Sequence, residues 1–282
     1  MKYSSILKLN KTWEIGRRPI PDSDNFNLIT DTAVVEQLFR MDYLSQQKIF
    51  CNKKVLDVGC GTGYSAEYCI DVGKASHVTG LEVDSLLIEN LRKENKKTNL
   101  HYVYYSPPDF PLEQHSFDIA TCFEVLEHID EEKQKNILAE ISRVLKKDGI
   151  AIISTPNRPV YSPDGISANP DHINELDKNQ LLRICSKYFS NIQIFGQKRT
   201  DENYLIRKQA IHLFSNSQTG KILRKLGVPL IMRKLRKTKQ KEPFYIAKKQ
   251  WIIDSKVDNR TEFLIAICSN FFRDKEISRR KI

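Results

Sequence analysis

The chain has no run approaching the ~18 apolar residues that a membrane-spanning helix needs, so an integral helical membrane protein is not expected. Met1 to Lys11 alternate polar and apolar side chains and offer no unbroken stretch for a secretory signal, which points to the cytoplasm. Cysteine is sparse and scattered: the six, at positions 51, 60, 69, 122, 185 and 268, form no C-x-x-C pair. Neither a disulfide framework nor a zinc ribbon is expected, and the cysteines read as reduced, buried, small apolar residues. Internal repeats are absent. The 282 residues, 40% hydrophobic, have the composition of a globular chain with room for one large domain or one and a half.

Acidic residues are scarce in one region only. Residues 198–282 carry 22 Lys+Arg against 8 Asp+Glu, a net of +14 in a chain whose total is +10, so the remainder sums to −4. Within that region, 221–249 hold eleven basic residues and a single acid, Glu242. Ile222, Leu223, Leu226, Leu230, Ile231 and Leu235 interleave with the charges. Such a basic amphipathic stretch suits an anionic membrane surface or phosphates, or else packs its apolar stripe against the body or a second subunit. Few aromatics accompany the charges and no RNA-binding motif is recognised, which disfavours nucleic acid.

What is present is an alternation of strands and helices. Val34 to Gln47 reads as a helix, and Lys53 to Val58 as a strand that opens into Gly59-Cys60-Gly61-Thr62-Gly63 before the helix Tyr64 to Val72. His77 to Glu82, His101 to Tyr105, Phe117 to Phe123 and Gly149 to Ser154 are further strands, separated by helices over Ser85 to Lys97 and Glu131 to Leu145. A helix over Leu176 to Phe189 and a strand over Ile192 to Phe195 follow, and no strand is expected again until Glu262 to Cys268. This pattern implies an α/β fold with a mostly parallel sheet covered on both faces. The chain divides into an N-terminal helical cap (1–50), a core (51–197), a basic, mainly helical insertion (198–259) and a final strand with its tail (260–282).

A strand ending in Asp57 that opens into G-x-G-x-G leaves backbone N–H groups uncovered at a helix start. Glu82, nineteen residues beyond Gly63 at the end of the next strand, can accept hydrogen bonds from both hydroxyls of a ribose. Together they point to an adenosine-containing cofactor. The dinucleotide pattern G-x-G-x-x-G is not met, because residue 64 is Tyr.

Val55 to Gly63, Gly80-Leu81-Glu82, Ser116-Phe117-Asp118 with Cys122-Phe123-Glu124, and Arg143 to Gly149 followed by Ser154-Thr155-Pro156-Asn157 resemble the motifs of class I S-adenosylmethionine-dependent methyltransferases. The resemblance covers roughly 34–197 and 260–270, and it implies a Rossmann-like seven-stranded sheet whose last strand is antiparallel. It also implies S-adenosyl-L-methionine as the donor. Asp57, Gly59, Gly61 and Gly63 would surround its methionine part, Glu82 would hold the ribose, and Phe123 would lie near the adenine. Ser106 falls where many relatives place an acid on the adenine amino group. In this family the segment before the first strand, here with Tyr3, Trp13, Arg17 and Arg18, often covers the cofactor; a packing helix with loose residues before it is the alternative.

At the end of the fourth strand, Glu124, Glu127 and His128 share one face if a helical turn starts there, and His172 follows in a loop crossing the same edge. Two carboxylates and two imidazoles can hold a divalent metal such as Mg or Mn. They can instead act without metal, with His128 or His172 as acid–base catalyst, or merely cap a helix; these readings stay open. Tyr161 can line the same region. E-x-x-E-H with a later histidine resembles small-RNA 2′-O-methyltransferases, and L-E-H resembles ubiquinone-pathway and sugar O-methyltransferases. The stretch 154–196 is most similar to the bacterial glycan group. The resemblance therefore implies methyl transfer to a hydroxyl, foremost of a sugar in a glycan or glycolipid precursor at the inner face of the membrane. RNA, a small quinone-type phenol, or a non-catalytic cofactor-binding protein are the alternatives.

Overall fold

Short apolar runs bounded by glycine or charge become the strands of one sheet. The structure is a computed structural model that describes residues 32–163, 165, 167, 169–201 and 251–270. Its elements are α1 (Thr32–Gln46), β1 (Lys54–Val58), α2 (Tyr64–Asp71), β2 (His77–Glu82), α3 (Ser85–Glu94), β3 (Leu100–Tyr104) and β4 (Phe117–Phe123). A 3-10 turn (Leu126–His128) precedes α4 (Glu131–Val144), β5 (Leu145–Pro156), α5 (Arg158–Tyr161), α6 (Lys178–Cys185), β6 (Asn191–Arg199), β7 (Trp251–Asp254) and β8 (Phe263–Ser269). The N-terminal residues Tyr3, Trp13, Arg17 and Arg18 and the basic stretch 221–249 lie outside the described residues.

The sheet has the order β3-β2-β1-β4-β5-β8-β6-β7. β1 to β5 pair in parallel, whereas β8 is antiparallel to both β5 and β6. The expected α/β fold with an antiparallel last strand is therefore present. One expectation is corrected: a strand does return before residue 262, because Trp251–Asp254 pairs antiparallel with Gly196–Arg199 and adds an eighth strand inside the segment read as a helical insertion. Four residues are too few for a period-2 pattern to stand out in basic surroundings. Tertiary contacts hold them: Trp251 is buried with the Arg199 guanidinium 4.1 Å from its ring centroid, and Asp254 pairs with the buried Lys198 at 3.1 Å.

Successive side chains of a strand point to opposite faces. Val55 accordingly joins an apolar cluster with Val34, Leu38, Met41, Tyr64 and Ile88. Its neighbours Leu56 and Val58 join another with Ile137, Leu138, Ile141 and Leu181. Both faces are covered, which is why these strands read as near-continuous apolar runs. In α4, Ile137, Leu138, Ile141 and Val144 form the buried stripe, and burial of such side chains stabilises by about 1.5–3 kcal/mol each.

The order β2-β1-β4-β5 makes the chain reverse direction across the sheet between β1 and β4, and ligands bind open α/β sheets at such a point. The loops after β1 and β4 meet there: a Cβ on Gly59 would lie 2.5 Å from Val125 Cγ2. Gly63, the N-cap of α2, has φ 82°, and a Cβ there would lie 2.5 Å from the Tyr102 hydroxyl. Gly63→Ala is expected to lower stability by about 1–3 kcal/mol through backbone strain. A lower denaturant midpoint at unchanged slope would show it.

Candidate active site

Strand β1 ends in Asp57, and the three glycines beyond it all take positive φ: 68° at Gly59, 52° at Gly61 and 82° at Gly63. Gly59 and Cys60 donate their N–H groups to Leu81 O, and Gly61 N–H donates to Glu82 Oε2 at 2.9 Å. Two adjacent strand ends are thereby tied together at the mouth of a cavity of about 520 Å³. Asp57 is buried and accepts hydrogen bonds from Ser65 Oγ and Thr121 Oγ1. Burial pushes its carboxyl from 3.8 to about 6, with the two hydroxyls pulling the other way.

Asp57, Gly59, Gly61, Glu82 and Phe123 all line the cavity. Two further residues stand elsewhere. Gly63 is not among the lining residues and instead lets α2 pack against Tyr102 and Leu91. Ser106 is exposed, and its neighbours Tyr105, Pro107 and Pro108 line the wall in its place.

The segment after β4 lines the same cavity. Glu124 has φ 56°, a left-handed backbone, and its carboxylate accepts from Arg40 Nη1 at 2.9 Å and from Ser154 Oγ at 2.8 Å. It therefore does not join a single ligating face with its neighbours. Among the described residues, the group whose ligand atoms all lie within 4.8 Å of one another is Glu127, His128 and His172. The reason is the backbone: a left-handed residue at 124 followed by a 3-10 turn at Leu126–His128 breaks the helical i,i+3 relation that would have aligned Glu124 with Glu127. His172 reaches the group because Ile173 N–H and Asn174 N–H both donate to Glu127 O, fastening its loop to the turn.

Within the cluster, His128 Nδ1 lies 2.9 Å from Asp171 O and His172 Nδ1 lies 2.8 Å from Glu175 Oε1. Both partners only accept, so both Nδ1 atoms donate, and in the neutral rings each Nε2 keeps its lone pair. The imidazoles meet edge to face with centroids 4.7 Å apart, and Tyr161 stacks on His172 at 5.6 Å. Burial lowers the pKa of His128, which favours the neutral ring. Burial, with the Glu124 charge nearby, holds the Glu127 carboxyl well above the ordinary range. Thr155 Oγ1 donates to Glu127 Oε2 at 3.2 Å, whereas Oε1 is buried without a hydrogen-bond partner.

Residues that sequence reasoning missed frame this region. Arg40 of α1 is fully buried and also donates through Nε to Gln197. Glu36, one turn earlier, accepts from Arg199 Nη2 at 3.0 Å. Glu175 orients His172 from three residues away. The arginine and both glutamates sit among charged residues of ordinary helices and loops, and no spacing marks them.

Burial pushes the Glu36 carboxyl from 4.5 to about 7; Arg199 pulls it down and Glu262 pushes it up. Between those values the folded chain holds a proton that the unfolded chain has released, so stability falls as pH rises from about 4.5 to about 7. Glu36→Gln is expected to flatten that fall, which denaturant unfolding at a series of pH values would show.

Residues 56–153 match the family described as Methyltransferase domain. The chain is similar to a probable S-adenosylmethionine-dependent methyltransferase of Mycolicibacterium smegmatis, 32% identical over 133 residues, or 47% of this chain and 49% of that protein. It is also similar to a ubiquinone biosynthesis O-methyltransferase of Glaesserella parasuis, 40% identical over 114 residues, covering 38% of this chain and 46% of the relative. The chain spans about half the length of these curated relatives. In fold it is similar to a SAM-dependent methyltransferase from Archaeoglobus fulgidus, with a TM-score of 0.52 at 18% identity over 84% of this chain and 99% of that one.

Proposed function

We propose, from the match of residues 56–153 to the methyltransferase domain family and the similarity to S-adenosylmethionine-dependent methyltransferases, that the chain moves the sulfonium methyl of S-adenosyl-L-methionine to a hydroxyl oxygen. The acceptor we assign is neutral, a sugar of a glycan or glycolipid precursor. One observation carries this reading: a single cavity runs from the glycine loop and Glu82 to the Glu127, His128 and His172 cluster. When bound, the donor supplies an activated methyl group. Gly59 and Gly61 allow its close approach, and the Glu82 carboxylate is placed to accept from ribose hydroxyls.

An alkyl hydroxyl is a weak nucleophile at neutral pH. As its oxygen forms the bond to the methyl carbon and the carbon–sulfur bond breaks, the donor leaves as a neutral thioether and the hydroxyl proton must go to a nearby base. A neutral imidazole of the cluster offers a lone pair for it. Holding oxygen, carbon and sulfur in line can supply up to about 7–11 kcal/mol of the barrier. Glu36, Glu124 and Glu127 line the cavity beside Arg40 and offer hydrogen-bonding groups suited to a neutral, hydroxyl-bearing acceptor. Similarity to ubiquinone biosynthesis O-methyltransferases favours a small phenol as the second reading.

No helix of the described residues is long and apolar enough to cross a membrane. A peripheral contact through the basic stretch 221–249 is part of this proposal, and it fits a lipid-linked acceptor.

The test is transfer of labelled methyl from S-adenosylmethionine into a fractionated cell extract. Label in a nuclease-resistant polysaccharide or lipid fraction is the expected result. Label removed by ribonuclease, or no transfer despite donor binding, contradicts it. Glu82→Ala is expected to weaken donor binding by about 10–100-fold, the worth of a hydrogen bond to a charged group, as calorimetry would show.

A further inference from the structure

We propose that Arg40 and Glu36, one turn apart on α1, form a subsite that holds a second, non-reacting hydroxyl of the acceptor, and that the acceptor is a saturated ring bearing several hydroxyls. The two residues stand four positions apart in one helix and so share a face, and both line the cavity. Arg40 carries the independent observation. It is 0% exposed; Nε donates to Gln197 Oε1 and Nη1 donates to Glu124 Oε1 and Ser154 Oγ, whereas Nη2 is buried without a hydrogen-bond partner. The engaged nitrogens fix the planar fork, so Nη2 is held in one place. A donor left in that state on a buried charged group is costly unless an oxygen pairs with it, and an acceptor oxygen in the cavity supplies what the protein does not.

Glu36 supplies the complementary group. Its carboxylate accepts from Arg199 Nη2 at 3.0 Å, and the Arg199 guanidinium is itself packed 4.1 Å from the Trp251 ring centroid. After burial, Arg199 and Glu262, the charges of Arg40 and Glu124 also act on the Glu36 carboxyl, so the three groups lie near one another. A hydroxyl both donates and accepts, and it satisfies a carboxylate and Nη2 at once; a carbonyl, as in a quinone, only accepts and leaves the carboxylate unmet. The flanking walls are aromatic: Tyr161 and Phe263 line the cavity with ring centroids 6.1 Å apart, and the Arg40 guanidinium lies 4.5 Å from the Phe263 centroid. Aromatic faces with a few converging polar groups hold the C–H face of a ring while the polar groups fix its orientation. The role of the subsite rests on the methyl-transfer reading; the binding of such a ring does not.

The test uses the full chain and neutral probes: the methyl glycosides of glucose, mannose and galactose, their monodeoxy derivatives, and catechol as a phenolic comparison. Binding is read by saturation-transfer NMR and calorimetry with no donor present. At least one pyranoside is expected to bind more tightly than catechol, and removing one particular hydroxyl should cost about 10–100-fold in affinity, the worth of a hydrogen bond to a charged group. In Glu36→Leu the parent pyranoside should lose a similar factor, while the derivative lacking that hydroxyl binds as it does to wild type. Glu36→Gln, which keeps an accepting oxygen, should restore most of the loss; Arg40→Lys is a further variant, and thermal melts establish that each is folded. Absence of pyranoside binding, tighter binding of catechol than of every pyranoside, indifference of the wild type to each hydroxyl, or a loss in Glu36→Leu equal for all derivatives overturns the proposal. The wild-type deoxy series decides alone where a variant does not fold. S-adenosylmethionine is titrated into the same samples. Its failure to bind wild type would strike the methyl-transfer reading alone, and failure of the pyranosides would strike this proposal alone.

Discussion

Arg40→Leu is expected to lower the unfolding free energy by about 3–5 kcal/mol, the range for breaking a buried ion pair by removing one partner. The guanidinium is fully buried and donates to Glu124 Oε1 at 2.9 Å, to Ser154 Oγ at 3.0 Å and to Gln197 Oε1. It also lies 4.5 Å from the Phe263 ring centroid. Without it, the Glu124 carboxylate, whose side chain is only 12% exposed, loses its counter-ion. Leucine fills part of the volume but pairs with nothing. The double variant Arg40→Leu, Glu124→Gln is expected to be less destabilised than the two single changes added together, because it removes the stranded charge as well. Denaturant unfolding of the four proteins checks both statements. A loss below about 1 kcal/mol for Arg40→Leu would mean that the pair is solvated in the folded chain and closer to a surface bridge in value.

His172→Ala is expected to reduce methyl transfer by about 10²–10⁴-fold, the usual contribution of a positioned acid–base group, with donor affinity unchanged. The two halves of that statement come from geometry. His172 stands in the cluster with Glu127 and His128, which lines the same cavity as the loop that Gly61 and Glu82 tie together without sharing a residue with it. Single-turnover rates and donor calorimetry on the same preparation separate them. Equal losses of rate and donor affinity would place His172 in the donor site, and an unchanged rate would remove the cluster from the chemistry. Tyr161 stacks on the His172 ring, so a conservative Tyr161→Phe change keeps the packing and serves as a comparison in which the rate loss should be small.

The glycine loop and Glu82 were legible as one candidate site because their chemistry is local. Strand, acid, glycine loop and helix follow one another within a few residues, and Glu82 is one strand further on; backbone sterics favour glycine at φ 68° and 52°. Even there the sequence overreached. Gly63 obeys the same φ rule, yet its lack of a side chain serves the packing of α2 on Tyr102. Ser106 lies next to the right strand, but its side chain is outside the cavity wall.

The cluster after β4 was legible only as a set of candidates. Helical spacing put Glu124 with Glu127 and His128, and the left-handed backbone at 124 separates them and gives Glu124 to Arg40. That pairing spans 84 positions, and Arg40 meets Gln197 across 157. No local pattern announces a partner so distant.

The sequence by itself determined the alternation of strands and helices, the mostly parallel core and the glycine-acid pairing after β1 and β2, since periodicity and backbone conformation are properties of neighbouring residues, while its family resemblance implied the antiparallel last strand. The tertiary structure decided the edge strand Trp251–Asp254, the burial of Arg40 and the membership of the Glu127, His128 and His172 cluster. Those depend on which distant segments the sheet order brings together, and on the burial that forces their charges and hydrogen bonds to find one another.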